Sequence, residues 1–433
     1  MAEPSRPAGG GRGALVLLLL VMGAGLLVRS PATTPQPHGP LAAFDKAPLP
    51  VTPEEYAEAV RGGTWTTFGA RPPVNGFNPG ASVWTGDRLL VGFTPEVAQL
   101  DLDASLADAW TSLPPHPAGA LDVESVVFRD GDVITYGPTS CAGCGPTAAV
   151  HALDVVAAVW RELPLVPGAV ADQSQLVVVD GRLVLVRDAA DGVDALELDE
   201  VSGAWTDLDA PSLPGSLRWQ AIAAGPSLVV VGTLSRPDGE AAAGALAWDG
   251  DRGWRELTAG APPPAGVEHA AAVWTGEEVI VLGGRAAEDD DPYARGSALA
   301  LEEGEWRRLP PLPEDFVAMP DLTQVRVLDG LVGTWDRERA VFVGGITAPL
   351  FAAWVPGSGW AMRLPTSPRA GGRVWWTGEQ LLLWGGVDRG GPAQDLQLWP
   401  TRPGFSAPLG EDAERGVPEE LDYADVGVGP AGG

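Results

Sequence analysis

Short apolar runs separated by glycine turns recur along most of this chain. In each copy an apolar run leads to a glycine, and a second apolar run follows within a few residues. The clearest copies contain Trp274-Thr275-Gly276 and Trp376-Thr377-Gly378, and both end in a pair of glycines. Because glycine readily adopts the positive φ of a tight hairpin loop, each copy predicts an antiparallel strand pair.

Two further strands follow each predicted hairpin. The third places an apolar residue before an acid or a turn, as at Leu153-Asp154 and Leu198-Asp199. The fourth carries a tryptophan followed by an apolar residue and then proline, and this tryptophan recurs at intervals of 45 to 54 residues. Its copies are Trp65, Trp110, Trp160, Trp205, Trp254, Trp306 and Trp360. A four-stranded unit of about 50 residues is the pattern of β-propeller blades.

Seven hairpins are predicted, and they set the number of blades. They open at Ala81, Glu124, Gln173, Arg218, His269, Leu331 and Arg373. The sixth is ambiguous, because Leu328-Asp329-Gly330 also resembles a hairpin turn. The spacing from Trp335 to Gly344 matches that in the clearest copies, so we favour a hairpin from Leu331 and an inserted loop over residues 314–326.

The two ends of the repeat region complement each other. The last hairpin is followed by a third strand at Leu396 to Trp399 but by no tryptophan strand, whereas Thr64 to Phe68 is a tryptophan strand without a hairpin. Pairing them completes a seventh blade and leaves no open sheet edge. The sequence therefore predicts an all-β, seven-bladed β-propeller whose last blade is closed by an N-terminal strand.

The strand order resembles kelch repeats, most closely in the fifth blade. There Pro264, Glu268-His269, Gly283-Gly284 and Trp306 stand where the kelch pattern has its proline, histidine, double glycine and tryptophan. The resemblance spans residues 64–403 and implies a kelch-like propeller of the galactose-oxidase-like superfamily, together with a structural role for His269. It implies a fold more firmly than an activity.

The segments outside the propeller differ in composition. Residues 1–29 combine basic residues with the uncharged apolar run Ala14 to Val28, which predicts a single apolar helix acting as a signal anchor or a cleaved signal peptide. Residues 30–50 form a Pro-rich linker, and residues 51–63 a short helix capped by Thr52. Residues 404–433 hold seven acids against Arg415, which predicts a disordered tail.

Charge excludes several classes of partner. The net charge is −29, and Lys46 is the only lysine, so we expect no nucleic-acid binding and no attraction to an anionic surface. The run Glu288 to Asp291 offers carboxylates for Ca²⁺, but it lacks the glycine-punctuated spacing of a calcium loop. A solvated hairpin tip is the favoured interpretation.

Both cysteines lie in one loop of the second blade, at Cys141 and Cys144. This spacing suits a redox pair or half of a zinc site, but the chain has no second cysteine pair and only four histidines. In an exported protein we favour a small disulfide between them. We predict no metal and no cofactor, and the four tyrosines do not supply a copper site of the galactose-oxidase type.

Candidate site residues come from the positions where the innermost strands begin, because in a propeller these positions surround the central channel. They are Asn78, Glu124, Gln173, Arg218, Glu268, His269, Asp329 and Arg369. A polar ring of mixed charge suits a small-molecule or peptide site, and it is equally expected of a water-filled channel. The predicted binding residues are Glu124, Arg218, Glu268, His269 and Arg369.

Two functions remain open. The first is a monomeric, extracytoplasmic binding or scaffold module, secreted or held at the cytoplasmic membrane by its N-terminal segment, with a protein or glycan ligand at the channel mouth or rim loops. The second is a hydrolase or lyase that uses Glu124 and Glu268 as acid and base. No nucleophile elbow and no sialidase box occurs in the chain, which favours binding.

Overall fold

Strands account for all the regular secondary structure that the computed structural model describes. The described residues are 66–68, 72–74, 81–105, 107–118, 123–139, 147–168, 171, 173–189, 192–211, 219–235, 241–250, 252–257, 259–260, 270–283, 296–310, 331–336, 339–344, 350–355, 359–363, 372–378, 380–388, 391–392 and 395–399.

The strands form seven antiparallel sheets of the predicted kind, here called blades 1 to 7. The first strand of the chain is β1 (Thr66–Thr67). Blade 1 contains β2 (Ser82–Trp84), β3 (Arg88–Gly92), β4 (Val97–Asp101) and β5 (Trp110–Leu113). Blade 2 contains β6 (Ser125–Arg129), β7 (Asp132–Thr139), β8 (Thr147–Asp154) and β9 (Val159–Glu162). Blade 3 contains β10 (Ser174–Val179), β11 (Arg182–Ala189), β12 (Gly192–Asp199) and β13 (Ala204–Asp207).

The later blades repeat this order. Blade 4 contains β14 (Trp219–Ala224), β15 (Ser227–Ser235), β16 (Ala241–Asp249) and β17 (Gly253–Leu257). Blade 5 adds β18 (Ala259–Gly260), parallel to its last strand, to β19 (Ala271–Trp274), β20 (Glu278–Leu282), β21 (Ser297–Ala300) and β22 (Glu305–Arg308). Blade 6 contains β23 (Leu331–Trp335), β24 (Ala340–Gly344), β25 (Leu350–Val355) and β26 (Gly359–Arg363). Blade 7 contains β27 (Arg373–Trp376), β28 (Leu381–Trp384), β31 (Leu396–Trp399) and β1, with a small hairpin of β29 (Val387–Asp388) and β30 (Gly391–Pro392) between β28 and β31.

Blade 7 joins the two ends of the described chain. Strand β1 pairs antiparallel with β31, with Thr66 opposite Leu398, and the Phe68 N–H donates to the Leu396 carbonyl at 2.8 Å. The buried Phe68 ring packs among side chains of both blade 7 and blade 1. The predicted seven blades and their closure by the N-terminal strand are therefore confirmed.

The ambiguous sixth hairpin is also settled. Strands β23 and β24 pair from Leu331 opposite Gly344 to Trp335 opposite Ala340, as the spacing favoured. Strand β21 ends at Ala300, and Leu301 lies in the following turn although its side chain is buried. The periodic pattern marks Leu301 as buried, and burial alone does not separate a strand residue from a turn residue.

Several predicted segments lie outside the described residues. These are residues 1–29, 30–50, 51–63, 288–291, 314–326 and 404–433, together with Trp65, Cys141 and Cys144. The predictions made for them remain predictions.

Among the described residues the core consists of seven buried clusters, and each lies between two adjacent blades. Every blade thus buries one face against the blade before it and the other against the blade after it. A single blade has no partner for either face, so the ring is one cooperative unit.

In blades 2 to 6 the recurring tryptophan forms a hydrogen bond to the preceding blade. The Trp160 indole N–H donates to the Pro114 carbonyl at 2.9 Å, and Trp205 donates to the Pro164 carbonyl at 2.9 Å. The same bond is made by Trp254 to Leu208, Trp306 to Leu257 and Trp360 to Pro310. Each acceptor lies three or four residues after the tryptophan of the preceding blade. The repeated tryptophan and the residues that follow it are therefore donor and acceptor of one inter-blade hydrogen bond.

Replacing Trp306 by Phe is expected to lower the free energy of unfolding by about 1–3 kcal/mol, because the Leu257 carbonyl would be left buried without a donor. Trp360→Phe is the matched control, since its bond to Pro310 is exposed to solvent and water can replace the indole. Urea denaturation of both variants measures the difference. Equal losses would show that ring size, and not the hydrogen bond, carries the effect.

Candidate functional site

The innermost strands of all seven blades surround a central cavity of about 600 Å³. Its lining residues lie on or just before β2, β6, β10, β14, β19, β23 and β27, with contributions from β15 and β20. The cavity is therefore the central channel of the propeller. Its polar lining includes Ser82, Glu124, Gln173, Gln175, Thr334 and Arg373.

One position of the innermost strands can be compared around the whole ring. In each innermost strand one residue pairs with the first apolar residue after the hairpin turn, as Trp84 pairs with Leu89 in blade 1. The position compared here lies three residues before that paired residue. In blades 1 to 7 it is occupied by Ala81, Ser125, Gln175, Gln220, Ala271, Val332 and Arg373. We call this set the girdle. The girdle residues are uncharged in six blades, and the girdle residue of blade 7 is charged.

In blades 2, 3 and 4 the girdle side chain bonds to the innermost strand of the next blade. Ser125 Oγ accepts the Leu176 N–H at 2.9 Å. The Gln175 amide accepts the Ala221 N–H at 3.0 Å and donates to the Ala221 carbonyl at 2.7 Å. Gln220 Oε1 accepts the Ala272 N–H at 2.9 Å.

These bonds satisfy backbone groups at the open edge of each innermost strand. An innermost strand pairs with a neighbour on one side only, so its other edge presents N–H and carbonyl groups toward the channel. A glutamine amide carries both an NH₂ donor group and a carbonyl acceptor, so it can replace the missing strand at that edge. Gln173, which lies two residues before Gln175, does the same for the Trp219 carbonyl at 2.6 Å. The polar side chains on this side of the channel are therefore structural.

Arg373 is different. With the described residues its guanidinium makes no hydrogen bond and no ion pair. The side chain is exposed to the space of the channel, and that space is enclosed by the innermost strands of the seven blades. This enclosure lowers the pKa of Arg373, and no counter-charge contributes to raise it.

Glu124 is the carboxylate among the described lining residues, and it lies next to β6. Its N–H donates to the Tyr136 carbonyl at 2.9 Å. Burial raises the pKa of Tyr136, the hydrogen bond with Ser174 opposes this shift, and the negative charge of Glu124 adds to it. The charge of Glu124 is thus felt inside the blade as well as in the channel.

Two of the positions predicted to surround the channel are among the described residues. Glu124 and Gln173 line the channel as expected. The other predicted positions, Asn78, Arg218, Glu268, His269, Asp329 and Arg369, lie outside the described residues. Arg373 was predicted only as the start of a hairpin. Comparing the girdle position across the seven repeats would have singled it out, because it carries the one charge in that set.

The described strands contain neither of two features that bear on localisation and cofactors. In this part of the chain no helix is long and apolar enough to cross a membrane. Nor do three or more His, Cys, Asp or Glu side chains there come together in a group that would hold a metal ion.

Comparison with known proteins adds a similarity of fold. No family model matches the chain, and no curated protein is similar to it in sequence. A solved structure of YjhT, a kelch-repeat protein, aligns with 75% of this chain and 94% of that chain, at 17% sequence identity and a TM-score of 0.45. The assignment of this chain as a seven-bladed propeller rests on its own sheet order and register.

Proposed function

We propose that this propeller is a non-enzymatic, extracytoplasmic binding module that takes a protein or glycan ligand at the mouth of its central channel. The observation that supports this most directly is the cavity of about 600 Å³ with an arginine that has no partner among the described residues. Ligand pockets commonly have volumes of about 300–1,000 Å³ and a few polar groups that fix the ligand's orientation. A protein side chain, a chain end or a sugar ring matches that size.

The distribution of hydrogen bonds favours one side of the channel. Girdle side chains of blades 2, 3 and 4 are engaged with neighbouring strands, whereas Thr334 of blade 6 and Arg373 of blade 7 make no bond to described residues. A ligand gains most from groups that do not give up an existing bond when they bind it. The proposed site is therefore on the side of blades 6 and 7.

The mouth residues predicted from the sequence belong to the same proposal. Arg218, Glu268, His269 and Arg369 precede innermost strands, so they are expected at the rim around the same opening. The alternative, a hydrolase or lyase, needs a carboxylate pair. Among the described lining residues Glu124 is the one carboxylate, so no specific observation favours catalysis.

Binding is tested with the full chain against a panel of soluble oligosaccharides and short peptides, by thermal shift and then by calorimetry. We expect at least one panel member to bind with one site per chain. Arg373→Ala should weaken that binding about tenfold or more, as expected for loss of a charged hydrogen bond. Arg252→Ala removes the same charge from an exposed turn of blade 4 and should leave binding unchanged.

Three results would contradict the proposal. If no panel member binds, the channel is only a solvated space at the centre of a structural ring. If Arg373→Ala binds normally, the ligand contacts rim loops and not the channel. If the protein cleaves a panel glycan and Glu124→Gln abolishes the cleavage, it is an enzyme.

A further inference from the structure

Arg373 carries a charge at a repeat position that is uncharged in the other six blades. In the other blades the girdle residue is apolar or uses its polar group for an inter-blade hydrogen bond. All seven blades meet the same packing demands, so a charge with no structural bond in one copy is not explained by packing. A guanidinium presents five N–H donors, and in the channel these donors face space that water or a ligand can fill.

Thr334 is a second departure from the repeat, and it lies on the neighbouring blade. It stands two residues after the girdle position, where the other blades have Val83, Val127, Val177, Ile222, Val273 and Trp375. Its half-buried side chain lines the same cavity, and its hydroxyl makes no hydrogen bond to a described residue. The two polar departures are therefore on adjacent innermost strands, β23 and β27.

We infer that the ligand of the channel presents a single carboxylate group to Arg373, with a hydroxyl or amide group beside it for Thr334. The inference rests on the proposed function and specifies the chemistry of the same site. The planar fork of a guanidinium matches a carboxylate through two parallel hydrogen bonds.

The charge of the channel selects a carboxylate over a phosphate. Arg373 is the one cation among the described lining residues, and Glu124 places a negative charge in the same cavity. A phosphate carries nearly two negative charges and usually needs further cations or a helix N-terminus. A ligand with one negative charge neutralises Arg373 without adding repulsion from Glu124.

A carboxylate can come from a free hydroxy acid or from the C-terminus of a peptide. The two sources share the group that Arg373 recognises and differ in the rest of the molecule. The probes are therefore chosen as pairs, each an acid and its neutral amide. One arm uses polyhydroxy acids such as gluconate with gluconamide, and the other uses tripeptides with a free or an amidated C-terminus.

Calorimetry with the full chain compares the members of each pair. We expect the acid to bind at least tenfold more tightly than its amide in at least one arm, and the arm that responds identifies the source. Arg373→Gln should remove the preference for the acid, and Arg373→Lys should restore part of it through charge alone. Thr334→Val should weaken the acid and its amide equally, and Arg252→Gln should change neither. The melting temperature of each variant checks that the fold is retained.

The outcomes separate this inference from the proposed function. If neutral oligosaccharides or peptide amides bind as tightly as the acids, or if only neutral members bind, the carboxylate inference is wrong and the binding function stands. If Arg373→Gln keeps the preference for the acid, another cation recognises it and the inference is also wrong. If neither acids nor neutral members bind, the inference and the proposed function both fail.

Discussion

Deletion of residues 63–70 is expected to open the ring, lower the melting temperature by several degrees and cause aggregation. These residues include β1, which covers the outer edge of β31 in blade 7. Without β1, that edge would present unpaired N–H and carbonyl groups, which can pair with another chain. Differential scanning calorimetry and light scattering measure the two effects. A deletion variant that stays monomeric and fully stable would rule out the closing role of this strand.

A point substitution tests the same closure without removing backbone. Phe68 is buried to 5% exposure between blades 7 and 1, and Phe68→Ala is expected to cost about 3–5 kcal/mol of unfolding free energy. Val201→Ala is the control, because the Val201 side chain is fully exposed at a turn of blade 3. A loss at Phe68 no larger than that at Val201 would mean that the closure contributes little.

Acidification is expected to destabilise the fold between pH 6.5 and pH 4 through His116. The His116 imidazole is buried. Its centre lies 4.9 Å from the centre of the His151 ring and 4.8 Å from that of the Trp160 ring. The Ala118 N–H points to His116 Nδ1 at 3.3 Å, so the neutral ring carries its proton on Nε2 and donates to Thr135 Oγ1 at 2.9 Å. A second proton on Nδ1 would face the Ala118 N–H.

The sign follows from the pKa in each state. Burial first, and then the charge of His151, lower the pKa of His116 from its ordinary 6.5 to about 4. Between these values the unfolded chain binds a proton that the folded chain does not, so the free energy of unfolding falls as the pH falls. Burial also lowers the pKa of His151, against an opposing effect of Glu162, and this adds in the same direction.

We expect a loss of about 2 kcal/mol at His116 between pH 7.5 and pH 5. Urea denaturation at the two pH values measures it, and His116→Gln, which does not titrate, should remove most of the difference. The variant will be less stable at pH 7.5, so the quantity to compare is the change with pH. An unchanged pH dependence in His116→Gln would show that other groups cause the acid sensitivity.

The architecture of this protein is predictable from local patterns in its sequence. Glycine turns between apolar runs predicted the innermost hairpins of six blades, and the spacing from Trp335 to Gly344 predicted that of blade 6. Both signals are local, because a hairpin depends on residues next to each other in the chain. The closure by β1 was also predictable. The N-terminal tryptophan strand has no hairpin of its own, and the last hairpin has no fourth strand, so pairing the two completes a blade. The part of the site that followed from this pattern is the place where innermost strands begin, with Glu124 and Gln173 on the channel.

The roles of the polar groups, by contrast, depend on contacts between blades that form only in the folded protein. Gln175 and Arg373 occupy the same repeat position, yet one bonds to the backbone of the next blade and the other faces the channel without a described partner. Such inter-blade bonds join residues that are far apart in the chain. Gln175 and Ala221 are 46 positions apart, and so are Trp254 and Leu208. Local sequence patterns carry no information on such contacts, because they depend on how two blades are positioned by their shared core. The same holds for His116, whose pKa is set by side chains that folding brings around it.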